Sequence, residues 1–211
     1  MPAKPKPQSV LEKLEQFEAE NRATKPLYDQ WSQNYENDLL NTLGYTAHII
    51  AANALANLLP NHQAEIIDIG CGTGLVAEQL HNQGFTAIDG IDISADMLTH
   101  AKAKALYRNL FVGDMNARTY LTDQSYDAAI CAGSFAPGHL GPESYREIIR
   151  SVRPGSPIVI FMNGVHYVND KYEVHIKGLE QRGVWQVISI SSHNYMSALD
   201  RPGRLITTRK C

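Results

Sequence analysis

The sequence predicts an α/β fold, a mostly parallel sheet with helices on both faces. Three observations predict it. Beyond residue 64, short apolar runs alternate with amphipathic segments, which is the rhythm of repeated β–α units. The first run passes through a glycine-rich turn straight into a helical pattern. The last two apolar runs have no helix between them, so they read as an antiparallel pair at the edge of the sheet.

The elements follow in order. Residues 1–8 are rich in Pro and Lys and read as a flexible, solvated tail. Ser9-Val10-Leu11-Glu12 matches a capping box, in which hydroxyl and carboxylate satisfy free amides at a helix start. Val10, Leu11, Leu14 and Phe17 continue at helical spacing, and Lys25-Pro26 breaks that helix. Tyr28, Trp31, Tyr35 and Leu39 form an aromatic stripe on a second helix. A third helix over 46–59 places Ile50, Ala51, Ala54, Leu55 and Leu58 on one face. Strands are expected at 65–69, 86–91, 109–113, 126–131, 158–162, 185–191 and 204–208. Helices are expected at 75–83, stopped by Gly84, at 95–105 with Ser94 as N-cap, at 142–152 with Pro142 in its first turn, and at 170–182. The chain thus divides into the tail 1–8, an N-terminal helical cap 9–60 and an α/β core 61–211, with cap and core forming one compact domain.

Composition excludes several classes. With 44% apolar residues among 211, the chain is too apolar for disorder. No apolar run approaches the roughly 20 residues of a spanning helix, so no membrane association is expected. The first residues lack the apolar stretch of a secretory signal. Lys+Arg 19 against Asp+Glu 22 leaves a net charge of −3, which argues against a dedicated nucleic-acid binder. Cys71, Cys131 and Cys211 make neither a disulfide framework nor a metal spacing, and the scattered histidines form no metal pattern. The expectation is a cytoplasmic protein without a metal, a monomer or homodimer.

The motif with chemistry in it is Ile66-Ile-Asp-Ile-Gly-Cys-Gly-Thr-Gly74. Glycines let a ligand approach the backbone, and the helix start offers free amides. Open α/β sheets bind ligands at such turns, beyond the carboxyl ends of their strands. Two cofactor classes use the device. The dinucleotide fingerprint fits in the register Gly72, Gly74, Ala77, and Asp92 at the end of the second strand suits the ribose of either class. Two features favour the other class. Asp68, just before the glycines, is placed to meet a cationic amino group. Asp114, in Leu110-Phe-Val-Gly-Asp-Met115, is placed to accept a hydrogen bond from an adenine amine, with Met115 on the ring.

On these residues the chain resembles the class I S-adenosylmethionine-dependent methyltransferases, over about 28–211. Tyr28-Asp-Gln-Trp-Ser-Gln-Asn-Tyr35 resembles the segment that often covers the cofactor in members acting on small molecules. Gly-Leu-Glu-Gln-Arg-Gly-Val-Trp185 and the overall length resemble the methyltransferase-like branch first named from the Williams–Beuren region. The resemblance implies a Rossmann-like three-layer sandwich: a seven-stranded, mostly parallel sheet with its last strand antiparallel, here with an N-terminal helical cap. It implies S-adenosylmethionine as cofactor and S-adenosylhomocysteine as product. Carried over, Gly70, Gly72 and Gly74 line the methionine and ribose side, and Asp68 lies near the amino group. Asp92 holds the ribose, with Ile93 against the adenine; Asp114 and Met115 hold the adenine. Cys131 and Ala132 lie beside the methionine part, and Tyr28 and Tyr35 cover it or belong to the core.

On the acceptor side, Ala132-Gly-Ser-Phe-Ala-Pro-Gly-His139-Leu-Gly follows the fourth strand. His139 is the candidate general base, because an imidazole titrates near neutrality; a loop histidine facing water is the plain alternative. Trp31, Phe135, Asn163, His166, Tyr167, His193 and Tyr195 are candidate substrate contacts. His48, His62, His81 and His100 read as surface residues, and Cys131 as a small buried side chain. The expected activity is methyl transfer to the N, O or S atom of a small molecule, with no nucleic-acid partner. A nicotinamide-dependent oxidoreductase, an RNA or protein methyltransferase and a non-catalytic cofactor-binding protein remain as alternatives.

Overall fold

The computed structural model describes residues 12, 36–135 and 139–211. The expected helix from Ser9 and the stripe Tyr28, Trp31 and Tyr35 lie outside the described residues.

Seven strands form one sheet: β1 Ile66–Ile69, β2 Ile88–Asp92, β3 Asn109–Val112, β4 Ala128–Ala132, β5 Pro157–Asn163, β6 Trp185–Asn194 and β7 Pro202–Lys210. Their order is β3-β2-β1-β4-β5-β7-β6. β1 to β5 run parallel, while β7 lies antiparallel between β5 and β6. The expected antiparallel pair is present, and β6 forms the edge. Strand order reverses at β1 and β4, and this switch point opens a crevice beyond their carboxyl ends.

Alternation along the buried strands builds both faces of the core. Ile66, Ile130, Val159 and Phe161 point to one side, where helix α1 (Ala47–Leu58) and helix α2 (Leu75–Asn82) cover them. Ile67, Ile69, Cys131, Ile160 and Met162 point to the other side, against helix α4 (Tyr145–Ser151) and Trp185. Helix α3 (Ala95–Ala103) follows β2, and its N-cap is Ser94, whose Oγ accepts from the Met97 N–H at 3.2 Å.

Four expectations need correcting. The segment 142–152 is a 3₁₀ turn, Pro142–Ser144, leading into α4. The helix expected at 170–182 is present as α6 (Tyr172–Gln181), but a further helix, α5 (Gly164–Asn169), starts directly at the end of β5, where none was expected. The break falls at Lys171, held in the left-handed region at φ 55°, a conformation periodicity does not register. In α1 the buried face is Ala47, His48, Ala51, Ala52 and Leu55. Small alanines let the helix lie close on β4 and β5, and Ile50, Ala54 and Leu58 become its flanks. His48, expected at the surface, is therefore buried, 4% exposed.

Candidate functional site

A pocket opens at the carboxyl ends of β1 to β4. Its floor is the turn after β1. Gly70, Gly72 and Gly74 have φ of 63°, 53° and 93°, the left-handed region in which a side chain costs strain. At Gly70 a Cβ would also stand 2.2 Å from Ser134 Oγ, so the turn and the loop after β4 can meet only through a glycine. The Gly70 and Cys71 N–H groups both donate to the Ile91 carbonyl, at 2.8 and 3.1 Å, which pins the turn to β2.

Asp92 ends β2 and bridges two backbones. Its Oδ2 accepts from the Gly72 N–H and its Oδ1 from the Ser94 N–H, both at 2.9 Å. Burial nevertheless holds its carboxyl above the usual range. Asp68 lies beneath the turn, fully buried. Its Oδ2 accepts from the Tyr107 hydroxyl at 2.7 Å, while Oδ1 has no hydrogen-bond partner. Burial pushes its pKa up to about 7; the Tyr107 hydrogen bond opposes the rise and nearby Asp92 adds to it. Asp114 is exposed in the loop after β3, and Met115 beside it is buried.

The structure brings together most of the expected cofactor residues. Gly70, Gly72, Asp92, Ile93, Asp114, Met115 and Ala132 line one pocket, and His139 joins them. Asp68, Gly74 and Cys131 sit behind that wall. Gly74 is the N-cap of α2 and faces the Tyr107 ring, and Cys131 is buried within β4. Burial pushes the Cys131 thiol far up, so it stays protonated and is no nucleophile.

The expected substrate contacts are placed elsewhere. Phe135 is in the core, its ring centroid 5.3 Å from Tyr145 and 5.8 Å from Tyr172. Asn163 caps α5 by accepting from the Val165 N–H at 2.8 Å, which occupies its carbonyl oxygen. His166 lies on α5 with Nδ1 3.7 Å from Asp170, and Tyr167 packs under the Arg204 guanidinium at 5.7 Å. His193 is hydrogen-bonded to Ser191 Oγ at 2.8 Å on the edge strand. Tyr195 is buried between Phe161 and Tyr45, at 5.2 and 5.7 Å. These six face packing partners rather than the pocket wall.

Residues that sequence reasoning missed take their place. Tyr45 and His48 enter the wall from the start of α1, their rings stacked at 5.6 Å with an interplanar angle of 6°. His48 Nδ1 is buried without a hydrogen-bond partner, and burial, reinforced by the Lys104 ammonium, lowers its pKa to about 4. The imidazole is therefore neutral at physiological pH. Thr73 Oγ1, in the glycine turn, is likewise buried without a partner. Native proteins rarely leave such groups unsatisfied, and orphans that cluster beside a pocket are a signal for a bound polar ligand. Asn116 and Ser134 complete the set, and the spacing Asp114-Met115-Asn116 was the one visible hint of a tight turn there.

Comparison with known proteins agrees with this geometry. Residues 66–155 match the Methyltransferase domain family. Human Methyltransferase-like protein 27 is 32% identical over 166 residues, 75% of this chain and 66% of that protein. The chain belongs to the class I S-adenosylmethionine-dependent methyltransferases. Two other relatives of this methyltransferase carry more specific names. The yeast (Saccharomyces cerevisiae) 18S rRNA (guanine(1575)-N(7))-methyltransferase is 38% identical over 81 residues, 38% of this chain and 29% of that one. The ubiquinone biosynthesis O-methyltransferase of Rickettsia bellii is 27% identical over 156 residues, 70% and 60% of the two chains. The chain thus spans at most about two thirds of these relatives' own length. Among solved structures, the [4+2]-cyclase SpnF superposes with a TM-score of 0.69 at 16% identity, covering 90% of this chain and 96% of that one, a likeness of fold. Among the described residues, no helix is long and apolar enough to cross a membrane.

Proposed function

We propose that this methyltransferase binds S-adenosylmethionine along the pocket and transfers its methyl group to a small, uncharged acceptor. The observation that carries the cofactor half is the set of strand ends: the glycine turn, Asp92 and Asp114–Met115 in one pocket. Asp92 would take the ribose hydroxyls, Asp114 the adenine amine, and Met115 and Ile93 the faces of the ring. Gly70, Gly72 and Ala132 would pass along the amino-acid part. The orphaned Asp68 Oδ1 suits its ammonium, directly or through a water.

The bound sulfonium supplies an already activated methyl group, so the protein's task is mainly alignment and exclusion of water. His139, in the pocket wall, would take a proton from an acceptor that carries one. His48, neutral and buried, would hydrogen-bond the acceptor or the amino-acid part of the cofactor. What supports an uncharged acceptor is the wall itself. Among the described lining residues no Lys or Arg is present to pair with a phosphate or carboxylate.

A polynucleotide acceptor is the second reading. It is favoured by Arg146, His175 and Arg182 around a second groove that meets the pocket at Asn116. Incubation with methyl-labelled S-adenosylmethionine and separated cell fractions decides between the two. Label is expected in the low-mass fraction; label confined to RNA or protein would overturn the small acceptor. Calorimetry with S-adenosylhomocysteine and NAD side by side tests the cofactor, and binding of NAD alone would overturn it.

A further inference from the structure

The loop after β4 is tied to both ends of the cofactor pocket. On one side the Leu140 N–H donates to the Ser134 carbonyl at 3.0 Å, and Ser134 Oγ donates to the Gly70 carbonyl of the glycine turn at 3.1 Å. On the other side a single carboxamide is used twice. Asn116 Nδ2 donates to the His139 carbonyl at 2.7 Å, and Asn116 Oδ1 accepts from the Gly141 N–H at 3.1 Å. The Asn116 N–H is itself held by Asp114 Oδ1 at 2.8 Å. The Tyr172 hydroxyl donates to the Leu140 carbonyl at 3.3 Å.

This pattern demands asparagine. A donor and an acceptor are needed from one short side chain, 23 residues from His139 and 25 from Gly141 in sequence. An aspartate keeps the acceptor and loses the donor, and an alanine loses both. Backbone segments without regular structure must satisfy their polar groups somehow, and here the His139 carbonyl and the Gly141 N–H both go to one residue from the adenine-side loop.

We propose that Asn116 is a positioning residue for the acceptor side of the site. It fastens His139 and Gly141 to the Asp114–Met115 loop, so that the loop taking the adenine and the loop presenting acceptor groups move as one body. Cofactor bound at one end then sets the geometry of the other. The inference rests on the proposed placement of the adenine against Asp114 and Met115. It makes the cofactor the first ligand and the acceptor the second.

The test reads the Gly141 amide, which lies outside the pocket wall, by hydrogen exchange in the full-length protein with and without S-adenosylhomocysteine. In the wild type the ligand is expected to slow Gly141 exchange by about tenfold, within the usual range of coupling between sites. In Asn116→Ala the free-to-bound ratio is expected to fall to about one, while affinity for the ligand by calorimetry drops by less than about tenfold. Asn116→Asp keeps the acceptor for Gly141 and should restore most of the ratio; it also serves if the alanine variant does not fold. A merely structural Asn116 would speed exchange in both states and leave the ratio unchanged, which overturns the proposal. So does a large loss of affinity with the ratio intact, which would make Asn116 a direct cofactor contact. If the wild type fails to bind S-adenosylhomocysteine, the cofactor reading itself falls, an outcome separable from the others by calorimetry alone.

Discussion

Asp92 shows how one carboxylate is given two duties. In this structure it spans the Gly72 and Ser94 amides, so it shapes the turn that a ribose would meet. Asp92→Ala is expected to weaken S-adenosylhomocysteine binding by about 1–3 kcal/mol, the range for a lost charged hydrogen-bond partner. Asp92→Asn, which can still accept from one amide, should lose less; equal losses would show that the turn matters and the ribose does not. Asp68 offers a second readout. Its carboxyl titrates at about 7 in the fold against 3.8 ordinarily, mainly through burial, so between those values the native chain holds a proton that the unfolded chain has released. Stability from this group is present below pH 4 and lost as pH rises toward 7. An incoming ammonium favours the carboxylate, so binding S-adenosylhomocysteine at pH 6 should release close to one proton. Calorimetry in buffers of different ionisation enthalpy measures it, and Asp68→Asn should abolish the release. The three acids were legible because each stands at the end of a strand, where position in sequence is position in the crevice. His48 was not, because periodicity says which residues share a helix face and not what that face meets. His48→Phe keeps the stacking on Tyr45 and removes an unsatisfied buried nitrogen. It should stabilise the fold by about 1 kcal/mol and weaken ligand binding; stabilisation with unchanged binding would leave the imidazole without a role.

At the scale of elements, the helix α4 is fastened to the long connection between β3 and β4 by one arginine. Arg150 pairs with Glu147 at 2.6 Å and Asp123, and donates to the Leu121 carbonyl at 2.6 Å. Glu147, 1% exposed, also accepts from the Thr119 N–H and hydroxyl at 3.0 Å. Burial alone would raise the Glu147 pKa, but Arg150 and Thr119 outweigh it and bring it to about 2. Its stabilisation is therefore full above pH 4.5 and lost as pH falls toward 2. Arg150→Ala leaves that carboxylate buried and short of its partner, and should cost about 3–5 kcal/mol in urea unfolding. Because none of these side chains lines the cofactor pocket, affinity for S-adenosylhomocysteine should hold; a parallel loss would mean that α4 carries part of the site. None of this network was visible in the sequence, since its members come from 119, 123, 147 and 150. The strands were legible to within a few residues because buried parallel strands are short apolar runs with clear ends. Helix 142–152 was read as too uniform and the short helix α5 before Lys171 was missed, since a 3₁₀ turn and a left-handed Lys171 leave the apolar spacing nearly undisturbed.

For the molecule as a whole, sheet order decides where chemistry can happen, and order is set by packing between distant segments rather than by any local pattern. The switch between β1 and β4 brings the glycine turn 70–74 and the start of the next loop, 132–135, edge to edge over buried groups that lack partners. A fold that leaves Asp68 Oδ1, Thr73 Oγ1 and His48 Nδ1 unsatisfied bears a cost that a polar ligand relieves. Binding to the native state alone stabilises it by mass action, about 2.7 kcal/mol when free ligand is 100 times its dissociation constant. For a chain of this size each kcal/mol is worth roughly 2–4 °C, so saturating S-adenosylhomocysteine should raise the melting temperature by about 5–10 °C. His48 adds a pH signature. The native imidazole titrates at about 4 and the unfolded one at 6.5, so below 6.5 the unfolded chain binds the extra proton. Stability held above pH 6.5 is lost as pH falls toward 4, by up to about 3 kcal/mol. A ligand that satisfies the neutral imidazole would deepen that loss, because protonation must then also break the new hydrogen bond. The ligand-induced rise in melting temperature should accordingly shrink between pH 5 and pH 3, across the native titration, in the wild type and shrink less in His48→Phe. Scanning calorimetry at the two pH values measures both, and identical shrinkage in the two proteins would place the ligand away from His48.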